Sequence, residues 1–78
     1  MPETFGDIIL EILETNNLTY REMQEATGIP FPTLSSHVRA TRLGVRRIPR
    51  ITLCEIIVQK YGLDRDRVLK AASGRRVG

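Results

Sequence analysis

The sequence predicts an all-α fold of five short helices, and three observations carry that expectation. Apolar residues recur at helical spacing, most plainly in Phe5, Ile8, Ile9, Ile12 and Leu13, which follow i, i+3, i+4, i+7 and i+8. Helix-start and helix-stop residues punctuate the chain at Thr4, Thr19, Gly28, Gly44, Gly62 and Asp64. No segment sustains the alternation of apolar and polar residues that marks a half-buried strand.

The first helix is expected over about residues 5–16. Thr4 caps it, and Asp7 at N3 suits the positive end of the helix dipole. Glu11 and Glu14 fall off the apolar stripe and are expected to face water. The second helix spans about 20–27. Leu18 stands at N′, Thr19 at the N-cap, Glu22 at N3 and Met23 at N4, which is a Thr-x-x-Glu capping box with a hydrophobic staple. Gly28 ends this helix, because glycine takes the left-handed C′ conformation without a Cβ penalty. The third helix covers 31–39 and can continue to Leu43, with Gly44 at C′. Pro32 suits its first turn, where a missing N–H costs nothing, and Leu34 and Val38 should point inward. Thr52 and Glu55 offer a second capping box for a fourth helix over 53–61. That helix would bury Leu53, Ile57 and Tyr61, with Ile56 and Val58 flanking, and end at Gly62. Leu63 at N′, Asp64 at the N-cap and Val68 at N4 repeat the staple for a fifth helix over 65–72. Residues 1–72 thus read as one domain, with a frayed basic tail at 73–78.

Seventy-eight residues allow one domain at most, and one this small needs an economical helical core or a partner subunit. Apolar residues make up 41% and charged residues 27%, an ordinary balance for a globular chain. No apolar run approaches the roughly 20 residues that span a bilayer. The start MPETFGDI has no signal-peptide layout, and the single Cys54 has no internal disulfide partner. A reducing cytoplasm is the expected setting, with no membrane contact.

Net charge is +3, but its distribution says more. Residues 1–38 hold six acids and one base, Arg21. Residues 39–50 hold five arginines (Arg39, Arg42, Arg46, Arg47 and Arg50) and no acid. A charge run is often only a solvated surface. Here it follows directly on a pair of helices joined by a short glycine turn, which reads as a helix-turn-helix with motif residues 19–39. Such a unit places its second helix in the major groove of double-stranded DNA, and arginine's planar fork suits phosphate and guanine edges.

Catalytic and metal chemistry find little support. Glu11 and Glu14 lack a polar pocket, and Cys54 has no paired histidine or supporting motif. No phosphate-binding loop, dinucleotide fingerprint or serine-nucleophile elbow occurs. His37 is the only histidine, too few ligands for a metal site, and is expected to be a polar helix residue or a backbone contact. No enzyme activity, metal, cofactor or small-molecule ligand is expected.

Residues 18–69 resemble the helix-turn-helix domain of the lambda repressor and Cro family. The likeness rests on Leu18, Thr19, Glu22, Met23, Glu25, Gly28, Ile29, Thr33, Leu34, Pro49, Gly62, Leu63, Val68 and Leu69. The segment EATGIPFPTL is similar to members from high-GC actinobacteria and their phages. Three features depart from the family pattern. Gln24 stands where alanine is usual, His37 occupies an often apolar position, and the loop from the third helix to Pro49 is longer and rich in arginine.

The resemblance implies a DNA-reading face made of Phe31, Pro32, Thr33, Ser35, Ser36 and Arg39. Ser35 and Ser36 could reach base edges or phosphate. Phe31 would either read a thymine methyl or tuck against the second helix. Tyr20 matches a position that hydrogen-bonds the DNA backbone. Arg21 beside it either grips a phosphate or pairs with Glu25. Arg39, Arg42, Arg46, Arg47 and Arg50 would hold phosphates, the loop 41–50 acting as a clamp.

These readings lead to a small sequence-specific regulator in a bacterial cytoplasm, a Cro-like phage or prophage repressor acting by operator occupancy. A homodimer, at least on DNA, is expected, with Val68, Leu69 and Ala72 as the only visible stripe for pairing. Two alternatives use the same motif differently: an excision or recombination accessory protein, and an autoregulating antitoxin. A third, of another class, is a protein-binding module that targets a polymerase subunit or another repressor.

Overall fold

The first helix, α1 (Phe5–Thr15), is the centre of the packing, because its stripe of Phe5, Ile8, Ile9 and Ile12 is almost completely buried. The structure is a computed structural model that describes residues 3–45 and 47–73. Among these residues there are five helices and no strand: α1, α2 (Tyr20–Thr27), α3 (Phe31–Arg42), α4 (Ile51–Tyr61) and α5 (Arg65–Ser73). The basic tail assigned to 73–78 lies outside the described residues from 74 onward.

Local signals set most of the boundaries. Thr4 caps α1 by accepting from the Asp7 N–H, and the Asp7 carboxylate accepts from the Thr4 N–H, so Asp7 completes a capping box. Thr19 and Glu22 form the reciprocal pair at the start of α2. α1 ends on Asn17 at φ +53°, with the Leu18 N–H bonded to the Leu13 carbonyl and the Asn17 N–H to that of Glu14. The same double bond closes α3 around Gly44, from Val45 to Ala40 and from Gly44 to Thr41.

The core gathers one stripe from each helix: Met23 from α2, Leu34 and Val38 from α3, Cys54 and Ile57 from α4, and Val68, Ala71 and Ala72 from α5. Ile29, in the turn between α2 and α3, is buried with them. α1 packs most closely on α3, and Gly6 permits it. A Cβ on Gly6 would lie 2.5 Å from the His37 carbonyl oxygen and 2.1 Å from Thr41 Oγ1. The Thr4 and Thr41 hydroxyls, 2.6 Å apart, tie the start of α1 to the last turn of α3.

Four sequence expectations are corrected. Thr52 and Glu55 form no capping box: α4 starts earlier, with Arg50 at its N-cap and no side-chain cap, while Glu55 accepts from Arg65 of α5. Leu53 and Tyr61 are only half-buried, and Cys54 takes the inward position beside Ile57. Glu11 is not simply solvated. Arg67 of α5 bridges it and Glu3, at 2.8 and 2.6 Å, which holds the Glu11 carboxyl below the usual carboxylate range. The stripe of Val68, Leu69 and Ala72 belongs to the core, where Val68 and Ala72 are buried and Leu69 packs beside them.

Candidate nucleic-acid interface

The α2–α3 junction is built by short-range chemistry. Gly28 adopts φ +78°, and its N–H bonds to the Gln24 carbonyl at 2.7 Å. Thr27 Oγ1 donates to the Met23 carbonyl and accepts from the Ile29 N–H, so the turn has its own side-chain brace. Pro30 is the N-cap of α3 and offers no side-chain cap. Gln24 supplies one instead, its Oε1 accepting from the Phe31 N–H across the turn. The glutamine that departs from the usual alanine thus ties α2 to the first residue of α3.

α3 turns Leu34, His37 and Val38 inward. The opposite face presents Pro32 and Arg39 exposed and Ser35 and Ser36 half-buried, with the exposed Arg42 one turn beyond. At 3.6 residues per turn, Phe31 and Thr33 fall on opposite flanks of that face. On the first flank Phe31 is 46% exposed and packs edge-on against the half-buried Tyr20 ring, with centroids 5.4 Å apart. Tyr20 opens α2, and Arg21 beside it is exposed and makes no ion pair with Glu25. Tyr20 and Phe31 therefore come together at one edge of α3, with Arg21 next to Tyr20 in the sequence.

On the second flank, Thr33 and His37 line a pocket of about 540 Å³ with Pro30, Arg47, Ile48, Pro49, Arg50 and Leu53. Pro49 is buried and anchors the segment against the domain, while Arg47 and Arg50 are exposed. Arg46 lies outside the described residues. Among the described residues, Arg39, Arg42, Arg47 and Arg50 join no ion pair, whereas Arg65 and Arg67 are both engaged by carboxylates.

His37 is a correction to the sequence reading. It is buried, 4% exposed, and its ring packs edge-on against Phe5 at 5.0 Å. Its Nδ1 has no hydrogen-bond partner. Burial first, and the nearby Arg47 guanidinium second, hold the imidazole below its ordinary range, so the ring is favoured neutral. The signal was available in the spacing: Leu34, His37, Val38 and Thr41 stand at i, i+3, i+4 and i+7, one face of a helix.

One further feature escaped sequence reasoning. Leu43, Val45, Ile48 and Ile51 are 58–69% exposed and lie among the loop arginines, so the loop is as apolar as it is basic. Cys54 is buried and desolvation pushes its thiol up, the opposite of what a nucleophile needs. Among the described residues no three His, Cys, Asp or Glu side chains converge, and no helix is long and apolar enough to cross a membrane. No family model, no curated protein and no solved structure matches the chain.

Proposed function

We propose that this chain is a sequence-specific double-stranded DNA-binding regulator of the lambda repressor and Cro type, acting by operator occupancy. The observation that carries the reading is the setting of α3. Its outward face of Pro32, Ser35, Ser36 and Arg39 is flanked by the Tyr20–Phe31 pair on one side and by Arg47 and Arg50 on the other. A helix lying in a major groove has a phosphate strand along each flank, which is where these groups stand. The arginines on that surface are uncommitted to protein carboxylates among the described residues. Phosphates would complete them.

In this reading Tyr20, Arg21, Arg39, Arg42, Arg47 and Arg50 hold the backbone, while Phe31, Pro32 and Ser36 touch bases, with Thr33 and Ser35 beside them. The protein has no catalytic role and works in a bacterial cytoplasm. Two copies on a palindrome would give the specificity that one short helix lacks, and their contact must use a surface other than Val68 and Ala72. Excision and antitoxin roles share this geometry and differ only in the site occupied.

A salt series of fluorescence anisotropy on duplex DNA tests the reading. Each arginine that neutralises a phosphate contributes about one unit to the log–log salt slope. Arg47→Gln with Arg50→Gln should therefore weaken binding to all sequences and flatten the slope by about 2. An unchanged slope removes the loop from the interface, and failure to bind any duplex at low salt removes the reading altogether.

A second reading has its own support in the exposed Leu43, Val45, Ile48 and Ile51. Aliphatic side chains alternating with arginines also suit an acidic protein partner, such as a polymerase subunit or another repressor. DNA is preferred because the uncommitted cations extend past this patch to Arg39 on α3 and Arg21 on α2.

A further inference from the structure

We infer that the pocket between α3 and the segment leading into α4 is a seat for a phosphoryl oxyanion, held by Arg47, Arg50 and Thr33 with His37 as its wall. Such a group has two sources. A DNA backbone phosphate rests on the reading above, whereas a free phosphorylated small molecule does not.

Four observations converge on this pocket. It is a half-open cleft of about 540 Å³, roomy enough to admit a phosphoryl group. Its charged lining residues are both guanidinium groups, whose forks match the geometry of phosphoryl oxygens, and no acid lines it among the described residues. α4, an eleven-residue helix, begins at its edge with no side-chain cap, so the positive end of the helix adjoins the space between Arg50 and Leu53. His37 is 4% exposed and lines the pocket, with a buried Nδ1 that no protein group satisfies. A buried polar atom without a partner calls for one.

The groups around the ring make its response to an anion predictable. Phe5 of α1 packs edge-on against the ring, and the pocket that His37 lines is also lined by Thr33 of α3, Leu53 of α4 and Arg47 and Arg50 of the segment before it. Among the described residues that line the pocket the charges are positive, and the Arg47 guanidinium adds to burial in opposing protonation of the imidazole. An oxyanion between the guanidinium groups offsets that field. Binding should therefore be coupled to proton uptake by His37 and tighten as the pH falls.

The experiment follows the His37 ring and the Thr33 and Arg47 amides by two-dimensional NMR. Inorganic phosphate and a short random-sequence duplex are titrated separately, with chloride at matched ionic strength as the control. Saturable phosphate-induced shifts at all three residues, with a raised His37 titration midpoint, support the seat. Arg47→Gln lies on the exposed rim and should keep the fold while weakening phosphate about ten-fold or more. If phosphate saturates the pocket but the duplex binds without moving His37, the natural occupant is a free phosphorylated molecule. If phosphate saturates and no duplex binds, the seat stands and the DNA-binding function falls. A duplex that moves His37 in the parent chain but not in Arg47→Gln assigns the seat to the DNA backbone. The proposal is overturned if phosphate shifts match chloride while the duplex leaves His37 unmoved, or moves it equally in Arg47→Gln. DNA binding itself survives that result.

Discussion

Replacing Gly6 by alanine should destabilise the protein, although the same change inside most helices is stabilising. Alanine exceeds glycine in helix propensity by about 1 kcal/mol, and α1 is regular at this position. Tertiary geometry reverses the sign. The new Cβ would stand 2.5 Å from the His37 carbonyl oxygen, while ordinary contact begins at 3.4 Å, so α1 and α3 would have to part by about 0.9 Å. A gap of that size forfeits about a quarter to a half of the dispersion energy between facing side chains. Here these are Phe5, Ile8 and Ile9 against Leu34 and Val38. Overpacking of this kind costs about 1–3 kcal/mol, and a clash with backbone rather than a flexible side chain belongs at the upper end. After the propensity gain, a net loss of about 2 kcal/mol remains. For a domain this small that lowers the melting temperature by about 8–16 °C. Thermal and urea unfolding followed by far-UV circular dichroism measures it. Adding Thr41→Ala to Gly6→Ala removes the hydroxyl contact but not the carbonyl, so the double variant should recover little. An unchanged or raised melting temperature for Gly6→Ala would refute the reasoning.

Gly28 has φ +78° and open space where a Cβ would go, so its substitutions test backbone conformation alone. Gly28→Val should cost about 2 kcal/mol or more and Gly28→Asn clearly less, since asparagine tolerates the left-handed region; equal losses in thermal melts would contradict this. The native fold holds His37 neutral, so its folded-state pKa lies below the unfolded 6.5. The unfolded chain then binds the extra proton first, and stability should decline as pH falls from about 6.5 toward the folded value. A urea midpoint that holds steady from pH 7.5 to 5.5 in chloride buffers would exclude that linkage. Ser36→Ala should change stability by less than about 0.5 kcal/mol and, under the proposed DNA-reading role of α3, reduce operator-over-random discrimination by about 1–3 kcal/mol. Loss of melting temperature with specificity intact would mean that another face of α3 reads the bases.

Where a residue's decisive partner lies within one helical turn, the chain could be read directly. Thr4 with Asp7, Thr19 with Glu22, and Gly28 and Gly44 past their helix ends all act locally, and the helices begin and end where they direct. Where the partner is remote, local signals misled. Glu55 looked like the third residue of a capping box, but Arg65 on the next helix takes its carboxylate, and Arg50 begins α4 instead. Glu11 is claimed by Arg67, 56 residues away. His37 is polar by type and apolar by position, and the Phe5 ring, remote in sequence, packs edge-on against it. The arginines of the candidate interface were visible as a run of charge. The pocket was not, because it exists only once Pro49 is buried and residues 47–50 fold back beside Thr33 and His37.

The exposed Leu43, Val45, Ile48 and Ile51 have a consequence for how the protein behaves in solution. Four large aliphatic side chains within nine residues form an adhesive surface, and the arginines between them act as its guards. Two copies approaching by this loop bring like charges together before the aliphatic groups can meet. That protection reaches only as far as the Debye length, about 10 Å at 0.1 M salt and about 3 Å at 1 M. Salt should therefore act in opposite directions on two properties of one loop, weakening the polyanion binding proposed for it while making the protein stickier toward itself.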